Sequence, residues 1–234
     1  MSHELRTPLN SIIGFSQTLN SQMFGPLGNP KYKEYSGDIN ASGNHLLEVI
    51  NDILDISKIE DGEIDFSEDD VELSGLMDAA ITMLREQAES QGIILSRVFP
   101  SVCPRLHADP RHIKQIVINL VSNAVKFTPP KGTIRLEVLV DDLGAVSIIV
   151  EDTGIGIKPE NLAKVMEPFG QVGNIYSRNH EGSGLGLPLA KSLMELHSGT
   201  LKITSEHEKG TRVSANFPAN RTVIDEISMG AAGE

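Results

Sequence analysis

The chain has 234 residues, 39% hydrophobic and 22% charged, which is enough for one or two domains with a buried core. Its 32 acidic against 20 basic residues leave a net charge of −12, which repels nucleic-acid backbones and anionic membranes, so any nucleotide must be held by local groups. The single cysteine, Cys103, excludes an internal disulfide framework, and no apolar run reaches the roughly 18 residues of a membrane span. The expected setting is the cytoplasm, with no nucleic-acid partner and no membrane contact in this segment.

From the start of the chain, Leu5, Leu9, Ile12, Leu19 and Met23 fall on a heptad spacing, with Ser16 at one seam position. Gly25, Pro26, Gly28 and Pro30 then break the helix. The pattern resumes with Tyr35, Ile39, Ser42, Leu46, Val49, Ile53 and Ile56, so residues 1–62 read as a helical hairpin. A lone hairpin with so narrow a stripe cannot bury both helices, and pairing with a second copy as a four-helix bundle is the expected solution, hence a homodimer. The charged stretch around residues 60–66 marks a boundary, followed by a second domain over residues 63–220 and a tail over 221–234.

The second domain alternates helix and strand signals. Residues 76–89, 111–127 and 185–197 read as helices, and residues 93–99, 134–140, 146–151, 200–205 and 212–217 as strands. The turn at residues 141–144 joins two β-branched runs as a hairpin, so the sheet is mixed. The expected fold class is therefore α + α/β, a hairpin bundle followed by an α/β sandwich, and not a parallel doubly wound sheet. Residues 223–234 show no persuasive periodicity.

Three segments carry chemistry. On the helix at 111–127, Asn119, Asn123 and Lys126 project within roughly 60° of one another, beside an apolar face of Ile113, Ile116, Val117, Leu120, Ala124 and Phe127. An amide oxygen is a hard, neutral ligand suited to Mg2+ on a triphosphate, though such a stripe also suits a plain solvated face. Asp152-Thr153-Gly154-Ile155-Gly156-Ile157 follows a strand. There a carboxylate can accept from the exocyclic amine of adenine and would repel the carbonyl of guanine, while the same residues also make an ordinary tight turn. Gly182-Ser183-Gly184-Leu185-Gly186-Leu187 runs into a helix, where backbone amides can approach phosphate oxygens. It lacks the third glycine of a dinucleotide fingerprint and the Gly-Lys-Ser/Thr of a Walker loop. Between the two glycine segments, residues 167–172 and the polar stretch 173–181 read as a lid.

In their order along the chain these motifs resemble those of sensor histidine kinases. His3-Glu4-Leu5-Arg6-Thr7-Pro8-Leu9-Asn10 is similar to the phosphoacceptor box, residues 119–126 to the N box, 152–157 and 182–187 to the two glycine boxes, and Glu167-Pro168-Phe169-Gly170 to the phenylalanine box. The resemblance covers about residues 2–218. It implies a dimerisation and phosphotransfer hairpin followed by a Bergerat-type ATP-binding domain, with ATP and Mg2+ as cofactors and a response-regulator receiver domain as partner.

By position the resemblance assigns the acceptor to His3, its orienting acid to Glu4 and a role in dephosphorylating the partner to Thr7. It also implies Mg2+ ligation by Asn123 beside Asn119, phosphate binding by Lys126 and adenine recognition by Asp152, with Gly154, Gly156, Gly182, Gly184 and Gly186 lining the nucleotide. Pro8 would weaken the helix one turn past His3. Many relatives carry an arginine just after the phenylalanine box, whereas this chain has Gln171, leaving Arg178 as the candidate lid cation. The zinc pattern His-Glu-x-x-His fails at Thr7, and histidines 45, 107, 112, 180, 197 and 207 show no ligand spacing; a surface or packing role is expected of them.

The motif at the very start of the chain reads as the edge of a fragment. A first helix beginning so near His3 is expected to dimerise more weakly and phosphorylate itself more slowly than a longer one. The alternatives are a non-catalytic nucleotide-binding signalling module, against which the intact ATP motifs argue, and an ATP-driven clamp, which would use a glutamate where this chain has Asn119.

Overall fold

The computed structural model describes residues 2–171 and 183–223, with backbone alone for Ser2, His3 and Glu4. It divides into two compact units, one ending at Ile64 and one beginning at Asp65.

The first unit is a helical hairpin of α1 (Ser2–Asn20) and α2 (Pro30–Glu60). α1 is helical on both sides of Pro8, although a proline ring removes one i→i−4 bond. α2 starts where Asn29 accepts from the Lys31 N–H at 3.0 Å and Pro30 supplies a preset φ. It stops at Gly62, which takes φ 68°, with the Glu63 N–H closing back on the Lys58 carbonyl at 2.8 Å.

The helices are antiparallel. Arg6 donates twice to Asn51 Oδ1, at 3.0 and 2.8 Å, while Asn40 Nδ2 donates to the Ile13 carbonyl at 3.0 Å and to Ser16 Oγ at 3.1 Å. Gly43 lets the helices close up, since a Cβ there would lie 2.8 Å from Ile13 Cγ1. Of the heptad stripe, Leu9 and Ser16 are buried within the hairpin. Leu5, Ile12, Leu19, Met23, Tyr35, Ile39, Leu46 and Ile53 remain 41–70% exposed.

The second unit opens with β1 (Asp69–Glu72), α3 (Leu73–Ser90), β2 (Ile94–Val98) and β3 (Arg105–Ala108). α4 (Pro110–Phe127), β4 (Thr133–Val140) and β5 (Val146–Asp152) follow. Then come α5 (Gly186–Leu196), β6 (Thr200–Glu206), β7 (Gly210–Phe217) and β8 (Thr222–Val223). The main sheet has the order β2-β4-β5-β7-β6, parallel between β2 and β4 and antiparallel elsewhere. A small antiparallel sheet, β1-β3-β8, lies apart from it. Thr222 and Val223 pair with Leu106 and Arg105, so two residues read as tail from the sequence belong to this sheet.

The three helices pack on the main sheet and on one another. α4 is the most deeply inserted. Val121 and Val125, off the predicted apolar face, are fully buried along with Ile113, Ile116 and Val117, because α3, α5 and the sheet enclose the helix from several sides. Each such aliphatic side chain contributes about 1.5–3 kcal/mol on burial.

The chain enters this unit through an aromatic and polar seat. The Phe66 ring lies 4.9 Å from His197 and 5.9 Å from His112, and the Ser67 N–H donates to Asp109 Oδ2 at 3.0 Å. His197 is fully buried. Its Nε2 accepts from the Asp109 N–H at 3.1 Å, and its Nδ1 faces the Leu193 carbonyl at 2.7 Å, which only accepts, so the ring is a neutral Nδ1–H tautomer. Asp109 is also buried. Arg111, at 2.7 Å, and the Ser67 and Arg111 N–H groups hold its carboxyl well below the usual range against the opposing effect of burial.

Candidate nucleotide site

α4 carries the polar groups. Asp109 caps its N-terminus by accepting from the Arg111 N–H at 2.9 Å, and Thr128 Oγ1 closes its end on the Ala124 carbonyl at 2.7 Å. Asn119 is buried, with Asn123 and Lys126 half-buried. Asn119 is engaged at both ends: Oδ1 accepts from Gln115 Nε2 and Nδ2 donates to the Gly186 carbonyl, each at 3.2 Å. A Cβ on Gly186 would sit 3.5 Å from Asn123 Nδ2 and 3.8 Å from Asn119 Cβ. The second glycine segment therefore begins α5 directly against the two amides. The Lys126 ammonium lies 4.9 Å over the Phe127 ring.

Asp152 ends β5, and its Oδ1 accepts from the Gly154 N–H at 2.8 Å and the Thr211 N–H at 3.3 Å. Burial pushes this carboxyl above its ordinary value, more strongly than the two N–H groups lower it. Gly154 is wedged: a Cβ would meet Asp152 Oδ1 and the Phe127 carbonyl oxygen, each at 2.6 Å. Gly156 takes φ 62°, and a Cβ there would lie 2.0 Å from the Glu206 carbonyl oxygen. The Ile155 N–H donates to the Phe127 carbonyl at 3.1 Å, joining the first glycine loop to the end of the amide helix. On the other side, the Ile155 carbonyl accepts from the Glu208 N–H at 2.7 Å.

The phenylalanine box meets the second glycine segment. Phe169 is 59% exposed with φ 61°, and a Cβ on Gly184 would lie 3.1 Å from Phe169 Cα and 3.2 Å from Gln171 Cγ. Gly170 packs so closely on the Lys164 carbonyl that no side chain fits there. Of the remaining expected site residues, Thr7 lies exposed in the first turns of α1, where its carbonyl accepts from Ser11 Oγ at 3.1 Å. His3 and Glu4 are helical in backbone. Arg178, Gly182 and the stretch 173–181 lie outside the described residues. Sequence reasoning missed Gln115, one turn before Asn119 on the same face, and Thr211, whose only signal was a Gly-Thr pair after a polar turn.

A buried amide helix, a carboxylate at a strand end and glycine turns against both define a nucleotide-binding α/β sandwich. The family model for histidine kinase-, DNA gyrase B- and HSP90-like ATPases matches residues 108–221, and that for the His Kinase A phospho-acceptor domain matches residues 1–62. The chain belongs to the sensor histidine kinases and carries their phospho-acceptor and ATP-binding segments.

Among relatives, the non-motile and phage-resistance protein of Caulobacter vibrioides is 47% identical over 225 residues, 95% of this chain and 27% of that protein. The cell-division control histidine kinase PdhS of Brucella suis is 41% identical over 233 residues, 96% of this chain and 22% of that protein. The chain thus spans about a quarter of the length of these curated relatives. The crystal structure of full-length ShkA in complex with AMPPNP superposes with a TM-score of 0.77 at 30% identity, covering 93% of this chain and 44% of that one.

Proposed function

We propose that this chain is the catalytic core of an ATP-dependent protein-histidine kinase that phosphorylates its own His3 and passes the phosphoryl group to an aspartate of a response-regulator receiver domain. The observation that carries this reading is the seating of Gly186 against Asn119 and Asn123, which brings a helix N-terminus suited to phosphate beside amides suited to its counter-ion. The match to full-length ShkA, solved in complex with the ATP analogue AMPPNP, supports a nucleotide in the corresponding place.

In this reading Asp152 accepts from the adenine amine. The α5 N-terminus and Lys126 hold phosphate, with Arg178 as the candidate lid cation. Asn123, with Asn119 beside it, offers neutral amide oxygen to Mg2+, which when bound neutralises triphosphate charge. Glu4 orients the His3 imidazole, whose unprotonated ring nitrogen attacks the γ-phosphorus as ADP leaves; the single proton on the opposite ring nitrogen then passes to the Glu4 carboxylate. Thr7 serves the dephosphorylation of the partner, in which water takes the phosphoryl group from its aspartate. The exposed heptad stripe of the hairpin supports a homodimer built as a four-helix bundle. No helix among the described residues is long and apolar enough to cross a membrane, and the proposed setting of this segment is the cytoplasm.

Incubation with labelled ATP and Mg2+ should give an acid-labile, alkali-stable protein label that disappears in His3→Gln. A label that survives this change refutes the assignment.

A further inference from the structure

Three inward-facing rows of the main sheet change character at one end. Along β5 the row Val146, Ile148, Val150 ends in Asp152. Along β7 the row Phe217, Ala215, Val213 ends in Thr211, and along β6 the row Leu201, Ile203 ends in Ser205. The three polar residues are direct neighbours across the strands, with Asp152 opposite Thr211 and Thr211 opposite Ser205. A row that is apolar under the helices thus becomes carboxylate, hydroxyl, hydroxyl beside the first glycine loop.

The serine hydroxyl is saturated in one way only. It has one proton and two lone pairs. The Gly210 carbonyl, at 2.9 Å, can only accept, so the proton goes there. The Ile157 N–H, at 2.8 Å, can only donate, and it takes one lone pair. The third partner, Thr211 Oγ1 at 2.9 Å, must therefore donate to the other. Thr211 then has its proton committed to Ser205 and presents only lone pairs, while its N–H is committed to Asp152. The ionised Asp152 likewise presents only lone pairs.

We infer that Ser205 is a specificity-determining positioning residue for the nucleotide base. By holding the Thr211 proton it makes the Asp152–Thr211 edge acceptor-only, and by holding the Ile157 N–H it fixes the glycine loop beside that edge. Such an edge takes an exocyclic amine and rejects a carbonyl oxygen, for which it has no proton to offer. This rests on the reading of the site as one for ATP. Without Ser205 the Thr211 hydroxyl is released to turn and donate, and the rejection of a 6-carbonyl purine weakens.

The test measures dissociation constants for ATP and GTP by competition with a fluorescent ATP analogue, using the full chain with Mg2+. Ser205→Ala should lower the ratio Kd(GTP)/Kd(ATP) about tenfold, and Ser205→Thr, which keeps the hydroxyl, should restore it to within about twofold. Thr211→Val, which has no hydroxyl to release, should keep the ratio within about threefold, and Ser205→Ala in that background should lower it no further, because its effect acts through the Thr211 hydroxyl. An unchanged ratio in Ser205→Ala, or additive losses in the double variant, overturns the inference. If Ser205→Ala does not fold, Ser205→Cys, whose thiol is a poor acceptor for the Thr211 proton, takes its place: a ratio unchanged in Ser205→Cys overturns the inference too. Failure of the unaltered chain to bind ATP would instead refute the kinase reading.

Discussion

The Asn119 side-chain amide donates to the main-chain carbonyl of Gly186 at 3.2 Å, which ties the middle of α4 to the first turn of α5. Asn119→Ala removes that bond and the Gln115 contact together, leaving the Gly186 carbonyl without its amide donor. At about 1–1.5 kcal/mol for such a loss, Mg-ATP affinity should fall roughly five- to tenfold in isothermal titration. A change below about twofold would mean the two helices do not need this tie to bind nucleotide.

Glycine matters at some positions and not at others. Gly156→Ala forces a Cβ to 2.0 Å from the Glu206 carbonyl oxygen at a positive φ, so it should destabilise the second unit by at least about 2 kcal/mol and abolish nucleotide binding. Gly75→Ala in α3, where a Cβ meets nothing within 4 Å, should instead stabilise by about 0.5–1 kcal/mol. Urea denaturation of the two variants should show opposite shifts of the midpoint.

The half-buried Asp152 carboxylate serves binding at the expense of stability. Its folded pKa is raised, so its stabilising contribution is complete below the ordinary value of 3.8 and is lost as pH rises through the folded value. At neutral pH Asp152→Asn should leave the unfolding midpoint unchanged or higher while ATP affinity falls more than about tenfold. In the unaltered protein ATP affinity should begin to drop at a higher pH than for an exposed aspartate. A variant that binds ATP normally contradicts the adenine role.

His197 gives the opposite sign. Burial lowers its pKa from the ordinary 6.5, so the unfolded chain takes up a proton that the folded chain refuses. Its contribution is present above 6.5 and is lost as pH falls toward the folded value. The thermal midpoint of the second unit should therefore decline as pH drops below about 6.5, and His197→Gln should flatten that part of the profile.

In the hairpin, burial and then the charges of Asp55 and Glu48 push Asp52 up to about 6. Its contribution is complete below 3.8 and lost as pH rises through about 6. Asp52→Asn should raise the hairpin's stability at pH 7.5 by on the order of 1 kcal/mol and leave it unchanged at pH 4. Calorimetry at the two pH values separates this from a simple gain in helix propensity.

Much of the framework was legible in the chain because its long elements repeat their own periodicity. The helices around Ile113 and Leu189 and the hairpin from Ile134 to Val150 lie within a residue or two of their predicted spans. The small sheet was not legible. Asp69-Asp70-Val71-Glu72 and Arg105-Leu106-His107-Ala108 are short and largely polar, and they hold as strands through cross-strand pairs such as Asp70 with His107, at 3.0 Å. Such pairs exist only once both strands are in place.

The sequence by itself determined the order of the motifs, the period of each helix and the residue types able to meet a triphosphate, because these depend on local spacing and side-chain chemistry. Only the tertiary structure decided that Asn119 would be committed to Gln115 and Gly186, that Phe127 would receive the first glycine loop, and that Ser205 would stand across two strands from Asp152. Those contacts span 48 residues between Ile157 and Ser205, 59 between Asp152 and Thr211 and 67 between Asn119 and Gly186. Directional hydrogen bonds between groups so far apart in the chain are set by strand register and helix packing, which no local pattern encodes.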